Sequence, residues 1–357
     1  MSFFKSILES GPAVGVDIGT TSIKIAEIGK TGQQINLVNY AILESYDYLE
    51  RFNEAFQTSS LKLSDNNTAA YLRLALINSK IKTKDAVAAI PAFAAFSTLL
   101  EVPAMSESEI KKFIDFQAKQ YVPLPMSAVT LDWMKVGERV DESGGQKYQI
   151  LLVSIPNEQI TKYQNIFKAA GLKLKSLEIE GMSLARSLSI GLKDLALVVD
   201  IGSRSTSFSI VQNGSLKFSG QVDFSGGSLT QVIAKDLNIT PRRAEDLKRQ
   251  RGLSGFGGEH ELSTLMAPIL DVIVYEGKRL MTTYESNYHE QVASVILSGG
   301  GANLLGIEDY CKERFNLPVI KANPFTSVTS PSVLKGIVNQ TGTQLGVAIG
   351  LAIKGLV

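Results

Sequence analysis

The strongest constraint in this sequence is a pattern that occurs twice. Val14-Gly15-Val16-Asp17-Ile18-Gly19 near the start returns at mid-chain as Leu197-Val198-Val199-Asp200-Ile201-Gly202. Each copy is an apolar run closed by Asp-Ile-Gly. Hydroxyl-bearing turn residues follow, Thr20 and Thr21 in one copy, Ser203 and Ser205 around Arg204 in the other, and then a segment of alternating polarity, 22–28 or 206–212. An apolar run, a tight turn and an alternating run spell two antiparallel strands joined by a hairpin. Further strands are expected at 37–43 and 215–223, the second reached across Asn213-Gly214, a strong two-residue hairpin signal. A repeat whose period is half the chain indicates a duplicated domain rather than a solenoid. With 357 residues, 44% of them hydrophobic, the chain is long enough to bury two cores.

Between the copies, apolar spacing predicts a helix over 68–78 and a strand over 85–90, closed by Pro91. A compact α+β insert is expected next. Its helix, 106–121, opens with Ser106 and Glu109 in capping-box spacing and is ended by Pro123 and Pro125. Strands at 128–136 and 148–155 flank a polar loop, 137–146, and Gly171 stops a helix over 159–170. After the second copy the pattern reads as helices at 230–237 and 241–250, a glycine-rich loop at 252–258 and a long helix at 262–284. A strand over 292–297, a helix over 304–315 and an apolar closing helix over 344–353 complete it.

Charge and special residues exclude several classes. Lys plus Arg number 36 against 35 Asp plus Glu, so the formal charge is +1 and no bulk electrostatic case for nucleic acid exists. The short basic stretch that begins at Pro241, Arg242 and Arg243 and runs to Arg251 is explained equally by a solvated helix face and by an anionic partner. One cysteine, Cys311, excludes an internal disulfide and fits a reducing compartment. Two histidines, His260 and His289, are too few for a histidine-built metal centre. Neither a signal peptide nor a run of about 20 apolar residues is present, and a cytoplasmic location is expected. Phe3, Phe4, Ile7 and Leu8 share one face at helical spacing, the mark of an arm that folds onto its own domain or touches a partner or membrane.

The chemistry resides in the glycine turns. Phosphoryl oxygens need fixed donors, and backbone amides of a tight hairpin supply them without desolvating a charged side chain. In the first turn Gly19, which admits close approach and unusual backbone angles, joins the hydroxyls of Thr20 and Thr21, and Lys24 just beyond is either a phosphate contact or a solvated strand residue. Gly202, Ser203, Arg204 and Ser205 offer the same chemistry from the second. Asp17 and Asp200 end their strands where they organise a divalent ion, expected through water. A third cluster, Gly299-Gly300-Gly301 with Asn303, lies between a strand and a helix. Bare backbone there admits a flat base or ribose, or lets the helix pack closely. Together the clusters predict one nucleotide between two domains. Neither hairpin is a P-loop, and neither leads into the long helix of a dinucleotide fingerprint.

Residues 17–24, 200–205 and 298–303 resemble the two phosphate motifs and the adenosine motif of the actin, sugar-kinase and heat-shock-chaperone ATPase superfamily. Segments 183–185 and 346–350 fall where that superfamily has its two connecting helices. More narrowly the chain resembles the PilM family of type IV pilus assembly. The resemblance rests on residues 3–5, 15–19, Gln120-Tyr121-Val122-Pro123, Glu178-Ile179-Glu180, Gly226-Gly227 with Thr230, and 244–248. It implies an α/β, actin-like ATPase fold of duplicated ribonuclease H-like domains with a small α+β inserted subdomain. The division expected is 1–91 for the first part of the first subdomain, 92–170 for the insert and 171–194 for a connecting segment. The second domain then has its core at 195–230 and 291–357 and a small subdomain at 231–290. The resemblance also implies ATP and Mg2+ as ligands, with Glu245 and Lys248 flanking adenine and ribose.

A cytoplasmic adaptor role follows, at the inner face of the membrane, binding the cytoplasmic N-terminal tail of PilN. Other pilus inner-membrane assembly proteins and motor ATPases are the further partners, and membrane association is peripheral, through them. Phe113, Phe116 and Tyr121 are candidates for the peptide groove, although the same residues suit burial within the insert. Glu178 and Glu180 are the catalytic candidates, both also explicable as salt-bridged glutamates, and slow ATP turnover is expected. Two alternatives share the fold: a cell-division protein of the FtsA family, and a small-molecule kinase. No terminal amphipathic membrane helix follows 344–353, which favours PilM over FtsA, and no acidic substrate motif favours the kinase.

Overall fold

The computed structural model describes residues 11–44, 65–140, 144–253, 260–330 and 335–356. The N-terminal helix expected around Phe3 to Leu8 and most of the glycine-rich loop at 252–258 lie outside them.

The first copy of the repeat forms β1 (Ala13–Ile18), β2 (Ser22–Thr31) and β3 (Gln34–Glu44), joined in order by hairpins. Every residue of β1 is buried, which is why its run is apolar without alternation. β4 (Asp85–Ile90) and β8 (Lys173–Ile179) add in parallel, giving a mixed sheet ordered β3-β2-β1-β4-β8. The second copy builds the same sheet again. Here β9 (Leu195–Ile201), β10 (Thr206–Gln212) and β11 (Ser215–Val222) are followed by parallel β12 (Val292–Ser298) and β13 (Val319–Lys321), in the order β11-β10-β9-β12-β13. The turn between β10 and β11 has positive φ at both Asn213 (44°) and Gly214 (79°), the geometry that an Asn-Gly hairpin favours.

Helices α1 (Asp65–Asn78) and α3 (Asn157–Ala170) cover one face of the first sheet, where Leu72, Tyr163 and Phe167 meet Val14, Val16 and Ile25. The other face carries α9 (Lys335–Gly355), whose Leu345, Ala348, Ile349 and Ala352 pack on Ala26, Ile28 and Leu37. That helix runs against α4 (Glu180–Leu188), and the pair lies between the two sheets, α9 touching β1, β2 and β4, α4 touching β10 and β11. Glycine makes the approach close: a Cβ on Gly350 would sit 2.0 Å from the Ser183 carbonyl, and one on Gly15 1.9 Å from that of Ala348. The outer face of the second sheet is covered by α5 (Gly226–Asp236), α7 (His260–Tyr288) and α8 (Ile307–Phe315), with α6 (Pro241–Arg251) packed on α5.

The insert is a three-stranded antiparallel sheet, β5 (Phe96–Pro103), β7 (Gln146–Pro156) and β6 (Val129–Val140), ordered β5-β7-β6 and backed by α2 (Glu107–Gln117). The Ser106–Glu109 capping box is present. The sheet leans on β11: Ser97 Oγ lies 2.8 Å from Ser219 Oγ, and the buried Lys217 ammonium donates to the Val136 carbonyl.

Several elements differ from the expectation. β5 and β8 were not anticipated, and β8 occupies part of the segment read as a connection. Its Lys173, Lys175 and Glu178 mask an edge strand whose apolar residues, Leu174, Leu177 and Ile179, do not alternate regularly across a register shift. Helix α5 starts at Gly226 rather than 230, because Ser225 and Ser228 cap it reciprocally and two glycines open it. Helix α8 starts only at Ile307, after Gly306 in the left-handed region. Strands β6 and β7 extend into the polar segment 137–146, and the helix after Ser106 tightens into a 3-10 turn beyond Gln117.

Candidate functional site

The two hairpins end their strands with one register. Asp17 pairs with Lys24 and Ile18 with Ile23, while Asp200 pairs with Ser207 and Ile201 with Thr206. Each turn is closed by the same bond, from Gly19 N–H to Ser22 O (2.9 Å) and from Gly202 N–H to Ser205 O (3.0 Å). Neither glycine adopts a left-handed φ, contrary to the unusual backbone angles expected of Gly19. What requires glycine is space: an added Cβ would meet the opposite carbonyl at 3.1 Å and 2.9 Å respectively.

Both hairpins open into one cavity of ≈ 690 Å³, a size suited to a nucleotide-sized ligand. From the first half it is lined by Asp17, Gly19, Thr20, Thr21 and Lys24, and from the second by Asp200, Gly202, Ser203, Arg204 and Ser205. Gly299, Gly300, Gly301 and Asn303 form a further wall, with Glu245 and Lys248 opposite. The second hairpin is braced from behind by α5, whose Gly226 and Gly227 amides donate to the carbonyls of Gly202 and Ser203.

The three glycines divide their work. Gly299 (φ 82°) and Gly301 lie against Ile201, where a Cβ would meet Ile201 atoms at 2.5 Å and 2.3 Å, so both serve close packing. Gly300 has nothing within 4 Å of its added Cβ and faces open space.

Electrostatics concentrate at the cavity floor. Lys24 Nζ donates to Asp17 Oδ2 at 3.0 Å. Burial opposes the Lys24 charge, but Asp17, and beyond it Asp200 and Glu180, outweigh burial and raise its pKa. Three carboxylates thus face one ammonium. Burial, with Asp17 adding repulsion, pushes Asp200 up to about 6 even though Lys24 and a hydrogen bond with Ser298 pull the other way. Burial first, and then Asp17 and Asp200, drive Glu180 well above the usual carboxylate range. Among the described residues the buried hydroxyls of Tyr163 and Ser207 have no hydrogen-bond partner, and Ser207 lines the cavity beside Asp200.

The two glutamates of the connecting region separate. Glu180 lines the cavity, with Oε2 accepting from the Ala92 N–H at 3.3 Å. Glu178 is not among the lining residues. It accepts from Arg186 at 2.7 Å and pairs with Lys354 at 3.0 Å, which ties the end of β8 to both central helices. Glu245 and Lys248 hold each other: the ammonium donates to Glu245 Oε2 (2.6 Å), Gly226 O (2.7 Å) and Thr230 Oγ1 (2.8 Å), using all three donors within the wall. Burial raises the Glu245 pKa, yet Lys248, Thr230 and Arg249 bring it to about 2, so it stands as a carboxylate.

The insert residues Phe113, Phe116 and Tyr121 lie away from this cavity. Phe113 is half-buried against the insert core, whereas Phe116 is 77% and Tyr121 41% exposed. The cavity also gathers residues not singled out from sequence: Phe93, Ser207, Glu44, Arg249 and Thr343. Ser207 had a signal, since it stands seven positions after Asp200 as Lys24 does after Asp17. The others arrive from distant segments and had none.

Two mixed five-stranded sheets, paired helices between them and matched hairpins on one cavity define the actin-like ATPase fold. The chain belongs to the family described as type IV pilus assembly protein PilM, whose model matches residues 15–356. Among solved structures it is similar to the PilM-PilN type IV pilus biogenesis complex, at a TM-score of 0.80 and 20% identity over 97% of this chain and 98% of that one. It is also similar to MreB5 of Spiroplasma citri bound to AMPPNP, at a TM-score of 0.50 and 15% identity over 93% of this chain and 98% of that one. The cell division protein FtsA of Neisseria meningitidis serogroup B is 23% identical over 59% of this chain. The chain spans 53% of the length of that relative. Among the described residues no helix is long and apolar enough to cross a membrane.

Proposed function

We propose that this protein is an ATP-binding adaptor of the type IV pilus assembly platform at the inner face of the cytoplasmic membrane. It holds the cytoplasmic N-terminal tail of PilN and hydrolyses ATP slowly. The observation that carries the nucleotide reading is the convergence of two equally registered hairpins, Asp17 to Lys24 and Asp200 to Ser207, on one cavity. Thr20, Thr21, Ser203 and Ser205 bring hydroxyls to the phosphate end, Lys24 and Arg204 bring positive charge, and Gly300 leaves room at the glycine wall. Glu245 and Lys248, engaged with each other, shape the wall for adenine and ribose more than they donate to it.

Magnesium fits the donor set. Asp17, Asp200 and Glu180 exceed the single ammonium of Lys24, and an orphaned hydroxyl, Ser207, stands among them. Among the described residues no three acidic, histidine or cysteine side chains gather closely enough to ligate an ion directly. Asp17 and Asp200 would therefore hold it through water. Bound there, the ion neutralises phosphate charge. Glu180, rather than Glu178, is the group that orients a water or takes its proton, since Glu178 is committed to Arg186 and Lys354. Burial, with Asp17 and Asp200 adding repulsion, raises the proton affinity of that carboxyl, which disfavours the ionised form a base needs and fits slow turnover.

The family match and the fold shared with the PilM–PilN complex support PilN as partner, and the adaptor reading extends to other pilus inner-membrane assembly proteins and motor ATPases. Exposed Phe116 and Tyr121 on the insert are the candidates for that contact. Two titrations test the whole. By calorimetry ATP–Mg2+ binds the native chain, and Asp17→Ala and Asp200→Ala each weaken it at least tenfold while the chain stays folded; unchanged affinity removes both aspartates from the site. A PilN tail peptide binds, with an affinity that differs between ATP-bound and nucleotide-free protein. Negligible binding in both states sinks the adaptor role.

A further inference from the structure

The short 3-10 turn Ala92–Ala94 joins β4 of the first sheet to β5 of the insert, and it is touched by two residues of the cavity. Glu180 accepts from the Ala92 N–H at 3.3 Å. Arg204, from the second hairpin, lays its guanidinium over the Phe93 ring with Cζ 4.2 Å from the centroid. Arg204 and Phe93 both line the cavity, and they belong to opposite halves of the molecule. Among the described residues none accepts a hydrogen bond from Arg204, so the aromatic contact is its one side-chain partner there. A guanidinium stacks through its face and donates through its edge, and the two uses are compatible. An arginine seated over an aromatic ring, with no hydrogen-bond acceptor among the described residues and on the lining of the cavity between the hairpins, is able to join the two.

We propose that Arg204 is a two-sided coupling residue: its edge binds the terminal phosphate of a nucleoside triphosphate while its face grips Phe93, so that the triphosphate fastens the root of the insert to the second half. The inference rests on the nucleotide reading of the cavity and adds the route by which its occupancy reaches the insert. A diphosphate, one phosphate shorter, leaves the edge unfilled and the grip weaker. Phe93 is followed within three residues by β5, whose Ser97 contacts Ser219 of β11, so a firmer root also steadies the face that the insert turns to the second half. Glu180 attaches to the same turn from the first half, which places the turn under the control of both sides of the cavity.

Amide hydrogen exchange of the native chain, read on the peptide spanning 91–96 and paired with calorimetry on the same samples, tests this. ATP–Mg2+ slows exchange there at least about fivefold, and ADP–Mg2+ does so less than half as much. Arg204→Lys keeps the charge and loses the planar stack; Phe93→Leu keeps apolar bulk and loses the ring. Both variants still bind ATP–Mg2+, weaker by about three- to tenfold, the range expected of a lost cation–π contact, and both lose the exchange response. The proposal is overturned, with the nucleotide reading intact, if ATP binds the native chain without slowing this peptide or if Phe93→Leu responds as the native chain does. Failure of the native chain to bind ATP at all overturns both.

Discussion

The two hairpins share a backbone and differ in what faces their aspartates. Opposite Asp17 stands Lys24, which neutralises it at 3.0 Å; opposite Asp200, at the equivalent register position, stands Ser207, whose hydroxyl has no partner among the described residues. The first hairpin is electrostatically closed. The second is left with a carboxyl raised to about 6 and with an arginine turned toward Phe93 of the first half. A second difference lies within β1 and β9, where Gly15 and Val198 occupy matching places in the repeat. Gly15 lets the α9 backbone lie directly on the first sheet, whereas Val198 fills its own space in the second. The two copies keep the same turn, closed by the same backbone bond, and differ in side chains: one hairpin pairs its aspartate with an ammonium, the other does not.

Making each copy like the other should break this division by graded amounts. The largest effect belongs to Gly15→Val, which copies the second half into the first. Even the Cβ of alanine would fall 1.9 Å from the Ala348 carbonyl, a backbone atom that cannot yield, so a loss of about 3 kcal/mol or outright misfolding is expected in denaturant titrations. Next is Lys24→Ser, which gives the first hairpin the residue type of the second. It strips the ion pair from Asp17, itself only 4% exposed, and about 2–3 kcal/mol of stability should go with it at neutral pH. Retention of full stability would show that solvent reaches Asp17 freely.

The pH response separates the hairpins a third way. The folded pKa of Asp200, about 6, lies above its ordinary value of 3.8, so between those limits the folded chain keeps a proton that the unfolded chain has released. Its contribution is favourable below the lower value and is lost as pH rises through the upper one. Asp200→Asn should therefore be more stable than the native chain at neutral pH by about 2 kcal/mol, with the difference shrinking toward zero in acid. A constant difference across that window would refute the assignment. Cation binding favours the charged carboxylate, so ATP–Mg2+ should bind more tightly as pH rises through this range and release protons, seen as a buffer-dependent heat. The smallest effect is Ser207→Ala, expected within about 0.5 kcal/mol of the native chain because no hydrogen bond is lost. Its neighbour Thr206, whose hydroxyl donates to Phe224 O at 2.7 Å, should lose about 1 kcal/mol as valine.

The repeat was legible because turn chemistry and strand burial are local. Asp-Ile-Gly followed by hydroxyl residues fixes the hairpin, and the buried run Ala13 to Val16 of β1 has no polar interruption before Asp17. What escaped depends on partners far along the chain. Lys173, Lys175 and Glu178 look like a solvated linker until β4 is alongside them, and β5 is revealed by β7, some 50 residues later. Glu178 and Glu180 are two residues apart and equal by type. Only the change from strand to helix between them, with Arg186 and Lys354 waiting under one, sends the other to the cavity. Phe93 was invisible for the same reason, since its meaning comes from an arginine more than a hundred positions away.

The placement of α9 has a consequence for how the protein is made. The first sheet begins at Ala13, yet one of its faces is covered by Leu345, Ala348, Ile349 and Ala352. A ribosome releases the sheet long before its cover, so Ala26, Ile28 and Leu37 stay bare until α9 emerges. The second half, whose outer helices lie nearer in sequence to their strands, has far less of its core to wait for. The nascent chain therefore carries an unfinished first half that is exposed to aggregation, and the joint cavity is closed only once Thr343, Gln344 and Val347 have been made.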